Sequence, residues 1–166
     1  MPSGRYFEDF ETSATLRHWP GKTVTEYDHH LFCLLTMHCH PLHLDHHYAQ
    51  SATRWQRPLV TSAYVFSLLC GLSARDITGQ AITHLSFGSF CHPAPVFHGD
   101  TLYAQTRVLT MRDPSPSKRG GEVHAETSGH KQDGTLVYSF TRRLIVNKRC
   151  PARPATEPRA AAEPDR

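Results

Sequence analysis

Two hydrophobic periods follow one another along the chain. The first half reads as helical. Glu26 to Met37 carries Phe32, Leu34, Leu35 and Met37, with Asp28 near its start, where a carboxylate suits the helix dipole. This predicts a short helix. Pro41 then predicts a loop, and Asp45 to Ser51 predicts one or two further helical turns. In "RPLVTSAYVFSLLCGL" apolar residues fall on every side of a helical wheel, which predicts a helix buried on most of its faces. Pro58 is expected in its first turn, with Thr61 and Ser62 serving the open N–H groups there.

From Ile82 the period becomes two. "ITHLSFGSF" alternates, and "TLYAQTRVLTM" puts Leu102, Ala104 and Val108 on one face. "EVHAETSGH" groups Val123, Ala125 and Thr127, and "TLVYSFTRRLIV" groups Leu136, Tyr138 and Phe140. Asp133-Gly134 is a strong hairpin signal between the last two strands, and "DPSPSKRGG" separates the middle pair. Consecutive strands joined by short connections make an antiparallel sheet. One nearly all-apolar helix beside such a sheet predicts an α+β domain in which the sheet curls around the helix.

Composition narrows the class. The 166 residues suffice for one domain with a real core, residues 1–149. Residues 150–166, rich in Pro, Ala and charge, read as a disordered tail. The formal net charge of +3 is too small to argue for nucleic acid. Five scattered cysteines, with no Cys-x-x-Cys pair, argue against a disulfide framework or a thiolate zinc site. The polar N-terminus lacks a signal-peptide core, and Leu59–Leu72 is too short to span a bilayer. A soluble, cytoplasmic protein is expected, with no membrane partner.

The chemistry concentrates in "TMHCHPLHLDHHYAQ", with His38, His40, His43, His46 and His47. Histidine titrates near neutrality and ligates metals, so acid–base work, metal binding and a solvated loop are the readings to weigh. His43 and His47 have the spacing of helix-borne ligands, but no Cys or acid cluster elsewhere completes a known site, and no metal is expected.

"HPLHLDHHYAQ", "RPLV" and "PVFHGDTLYAQ", in that order and spacing, resemble the MaoC-like, (R)-specific enoyl-CoA hydratase family. The resemblance runs from Gly4 to Lys148. It implies a single hotdog domain, a long central helix wrapped by a curved antiparallel sheet, in a homodimer or higher homo-oligomer. "RHWPGKTVTEYDHHLFCLLTMHCHPLHLD" is similar, more narrowly, to the mesaconyl-CoA and itaconyl-CoA hydratase subgroup.

By this resemblance His43 is the catalytic histidine, and the Ser62 backbone N–H is the oxyanion donor. His38 stands where the family has its catalytic Asp, and His40 where it has Asn. A histidine at position 38 replaces an acceptor-only anion by a group that can also donate. Asp45 either orients a catalytic histidine or caps the following turn. His40, Arg54 and Arg57 are candidate contacts for a substrate carboxylate or for coenzyme A; Arg142, Arg143 and Lys148 are weaker ones. The implied reaction adds water to an enoyl-CoA and needs no cofactor. A hotdog thioesterase and an inactive acyl-CoA-binding protein are the alternatives.

Overall fold

The computed structural model describes residues 4–114 and 119–149. The expected tail from 150 and part of the loop at 113–121 lie outside that range. Four helices come first: α1 Glu26–Thr36, α2 Pro41–Leu44, α3 His46–Ala52 and α4 Ser62–Ser73. Two short strands precede them, β1 Thr15–Arg17 and β2 Lys22–Thr23. Four long strands follow: β3 Ala81–Cys91, β4 Thr101–Arg112, β5 Gly120–Lys131 and β6 Leu136–Asn147.

All pairings are antiparallel, in the order β1-β4-β5-β6-β3, with β2 also on β4. The sheet's inner face packs on α4. Tyr64, Val65 and Leu69 of α4 meet Leu102, Ala104, Val137, Tyr138 and Phe140 in the main cluster. The helix lies very close to β5. A Cβ at Gly129 would stand 2.5 Å from Leu69 Cδ2, so this strand position has no room for a side chain. A second cluster, around Phe10, Ile77, Val108, Val123, Leu144 and Val146, fills the far end.

Three local expectations are corrected. Pro41 opens the one-turn helix α2 instead of a loop, because proline at the first helical position loses no hydrogen bond. Helix α4 begins at Ser62, and Pro58 lies before it. Residues leading into α4 are extended, with Val60 N–H bonded to Val96 carbonyl. In β3 the expected alternation does not sort residues by burial. Register shifts at three points break the period of two, and the strand is the sheet's edge. Ile82, Leu85, Phe87 and Phe90 are consequently exposed.

Two further placements differ from the sequence reading. Tyr138 and Phe140 point inward as expected, on a face that continues through Arg142, Leu144 and Val146, but Leu136 is exposed and Val137 buried where a register shift against β5 breaks the alternation at the start of β6. Arg142 is therefore a core residue, bonded through its guanidinium to the hydroxyls of Ser73 and Thr127. It is removed from the candidate substrate contacts.

Candidate active site

The site is assembled on α1, α2 and the entry to α4. Thr25 and Asp28 cap α1 reciprocally, Thr25 Oγ1 accepting the Asp28 N–H and the Asp28 carboxylate facing the Thr25 N–H. The helix ends at Met37 in the left-handed region, φ 59°. The chain swings from there into α2, whose Leu42 carbonyl accepts the Leu59 N–H. This ties the turn carrying His43 to the segment leading into α4.

His43 is half-buried, and its Nδ1 lies 2.6 Å from the Leu59 carbonyl oxygen. A carbonyl only accepts, so Nδ1 carries the proton. In the neutral ring Nε2 is then the free base. The same logic fixes His29. Its Nε2 accepts the Thr61 N–H at 3.0 Å, so its Nδ1–H donates to His98 Nε2, also at 3.0 Å. The His29 and His43 rings meet edge to face, with centroids 5.9 Å apart. Burial, together with neighbouring His98, His43 and His30, pushes the His29 pKa down to about 4. It stays neutral at neutral pH and serves as a fixed acceptor. Burial also lowers the pKa of His98.

Helix α4 starts beside this cluster. Thr61, its N-cap residue, makes no side-chain cap bond. The Thr61 N–H is taken by His29. The Ser62 N–H, the first of the helix, meets no acceptor among the described residues. An open donor at a helix N-terminus suits an oxygen that gains negative charge.

The other sequence-predicted residues divide. His40 caps α2, its Nδ1 accepting the Leu42 N–H, and its ring lies 6.1 Å from that of His43. His38 is exposed; its Nδ1 is 3.0 Å from Thr36 Oγ1 and its ring packs near Phe32. Asp45 caps α3 by accepting the Tyr48 N–H at 2.9 Å. Arg57 lies over the Phe97 ring at 3.7 Å, and Arg54 over Trp55 at 4.3 Å. His43 and His47 do not share a helix, since Asp45 breaks the chain between α2 and α3. That removes their apparent ligand spacing.

His29 and His98 are the residues that sequence reasoning missed. By the family resemblance Phe97-His98-Gly99-Asp100 falls on a structural strand-entry motif, and no local pattern pairs His98 with a residue 69 positions away.

A family model described as the MaoC like domain matches residues 9–130. Mesaconyl-CoA hydratase from Cereibacter sphaeroides is 31% identical over 156 residues, 94% of this chain and 45% of the relative. β-Methylmalyl-CoA dehydratase from Chloroflexus aurantiacus is 32% identical over 154 residues, 93% and 43% of the two chains. A crystal structure of a MaoC domain protein dehydratase from Chloroflexus aurantiacus superposes with a TM-score of 0.84 at 30% identity, covering 99% of this chain and 46% of that one. A Mycobacterium tuberculosis protein with a double hotdog fold superposes at 0.72 and 22% identity, over 93% and 46% of the chains. The fold here is thus the hotdog. The chain spans about half the length of the curated relatives it matches.

Proposed function

Because the chain belongs to the MaoC-like domain family, we propose that it is a hydro-lyase adding water reversibly across the double bond of an enoyl-CoA. The substrate is a C5 dicarboxylyl-CoA, mesaconyl-CoA or itaconyl-CoA. The name of one curated relative, mesaconyl-CoA hydratase, supports the first of these. The observation that carries the reading is the pairing of His43, its Nδ1 committed to Leu59, with the open N-terminus of α4.

The thioester carbonyl oxygen accepts from the Ser62 N–H, which stabilises the enolate-like charge that develops as C3 is attacked. A histidine takes a proton from the attacking water, and a proton is delivered to C2. The hydroxyl ends on C3 and the hydrogen on C2. His43, through Nε2, and His38 share these transfers. His40, Arg54 and Arg57 receive the second carboxylate or the coenzyme A phosphates. Asp45 positions His43 indirectly, by holding the start of α3. The coenzyme A arrives on the substrate and no other cofactor is used.

A second copy of the chain completes the assembly. Edge strand β3 exposes Ile82, Leu85, Phe87 and Phe90, and relatives of about twice the length support a second hotdog there. Light scattering on the purified chain tests the dimer. A panel of enoyl-CoA thioesters, followed for the mass of one added water, tests the reaction. Release of free thiol without a hydrated product would make the protein a thioesterase. Binding without either product would make it an acyl-CoA-binding protein.

A further inference from the structure

A second cluster of reactive side chains lies at the junction of α1 and α3, outside the reaction just described. Glu26 and His30 are four residues apart on α1 and so share a helix face. His46 opens α3 opposite them. Its Nε2 is 2.9 Å from Glu26 Oε1, and His30 Nε2 is 4.0 Å from the same oxygen. The three atoms all lie within 4.8 Å of one another. His30 Nε2 is shut off from solvent and has no hydrogen-bond partner.

We propose that Glu26, His30 and His46 bind a divalent transition-metal ion of the zinc class. An ordinary ion pair accounts for Glu26 and His46 but leaves the buried nitrogen of His30 unsatisfied, an uncompensated cost. A metal at the centre satisfies all three. Two imidazoles and one carboxylate form a borderline donor set that suits zinc, whereas calcium and magnesium take oxygen ligands. Tetrahedral zinc at its usual bond lengths holds donor atoms roughly 3.3 Å apart. The two separations to Glu26 Oε1 fall on either side of that value. The His46 and Glu26 side chains are about half exposed, 48% and 53%, and are free to close the difference. Water takes the fourth position.

Such an ion is a brace. It joins α1 to α3 across the turn that carries His43, and no proton transfer of the hydration passes through it. His98 is nearby, its ring 6.1 Å from that of His30, but its Nε2 is already used by His29. The site departs from the sequence expectation of no metal. Its carboxylate comes from 20 residues before His46, where no short motif connects them.

The test uses the full chain, stripped with chelator and titrated with zinc chloride by calorimetry and with cobalt chloride by absorbance. One saturable site per chain, visible bands of tetrahedral cobalt, and a higher melting temperature with zinc are expected. Glu26→Gln and His46→Gln should each weaken zinc binding by at least about tenfold. His47→Gln, at the exposed neighbouring position outside the cluster, should leave it unchanged. Circular dichroism checks that each variant is folded. Absence of saturable binding, or equal weakening in His47→Gln and His46→Gln, overturns the proposal.

Discussion

His43 donates its Nδ1 proton to the carbonyl of Leu59 at 2.6 Å, 16 residues along the chain. The bond sets the tautomer, aims Nε2 away from Leu59, and makes the turn that carries His43 depend on the segment entering α4. Two substitutions separate these consequences. His43→Ala removes the proposed base and should lower hydratase turnover by about two to four orders of magnitude. His43→Asn keeps a donor near the position of Nδ1 but has no Nε2. It should lose as much activity while melting close to wild type. Steady-state kinetics beside thermal melts of the three proteins check this. An Asn variant with wild-type turnover would remove His43 from the chemistry.

A separate polar cluster makes stability depend on pH. The His18 side chain is fully buried, with Nδ1 at 2.7 Å from Asp76 and Nε2 at 2.8 Å from Thr106 Oγ1. Burial lowers its pKa; Asp76 opposes that, while Arg142 and Arg5 add to it. The folded protein therefore takes up the proton less readily than the unfolded chain. The stability contribution is full above the ordinary imidazole value of about 6.5 and is lost as pH falls towards the lowered folded value. His29, His84, His92 and His98, all lowered chiefly by burial, act in the same direction. Urea midpoints at about pH 7.5 and about pH 5.5 should fall for wild type, and fall less for His18→Asn. Equal slopes for the two proteins would show that His18 is not a contributor.

The parts legible in the sequence are those with a sustained period. Of the four long strands, β4, β5 and β6, like the all-round apolar helix α4, each span ten or more residues with the pattern unbroken enough to dominate. Strands β1 and β2, of three and two residues, are too short to have one. In β3 the bulges erase it. Arg142 lies in the core because hydroxyls from α4 and β5 reach its guanidinium, a long-range arrangement that a charge-based reading places at the surface. His43 stands out in the sequence as a candidate through its surrounding motif. His29 does not, because its work is done for Thr61, 32 residues away.

His38 is the site residue with least support from its surroundings. It is exposed, and its polar contact is with Thr36, two residues back. If it shares the proton transfers with His43, His38→Gln should lower kcat by about two orders of magnitude, with KM changed much less. Glutamine keeps a hydrogen-bonding side chain, so a change in binding alone would raise KM and spare kcat. A variant with wild-type kcat makes His38 a wall of the pocket.

The oxyanion role proposed for Ser62 rests on a backbone N–H, which side-chain replacement cannot remove. Its position offers a way round this. Ser62 is the first residue of α4, where proline is well tolerated because the missing N–H would be unpaired in any case. Thr61 before it is already extended, φ −64° and ψ 139°, as a residue preceding proline must be. The N–H of Thr61, held by His29, is untouched by the change. Ser62→Pro therefore deletes one donor and keeps the helix. Turnover should fall by about 100- to 1000-fold, the usual effect of losing one oxyanion donor, while the melting temperature stays near wild type. Ser62→Ala controls for the hydroxyl and should keep most of the activity. If Ser62→Ala loses as much as Ser62→Pro, the hydroxyl is the working group. If neither loses activity, the thioester oxygen is held elsewhere.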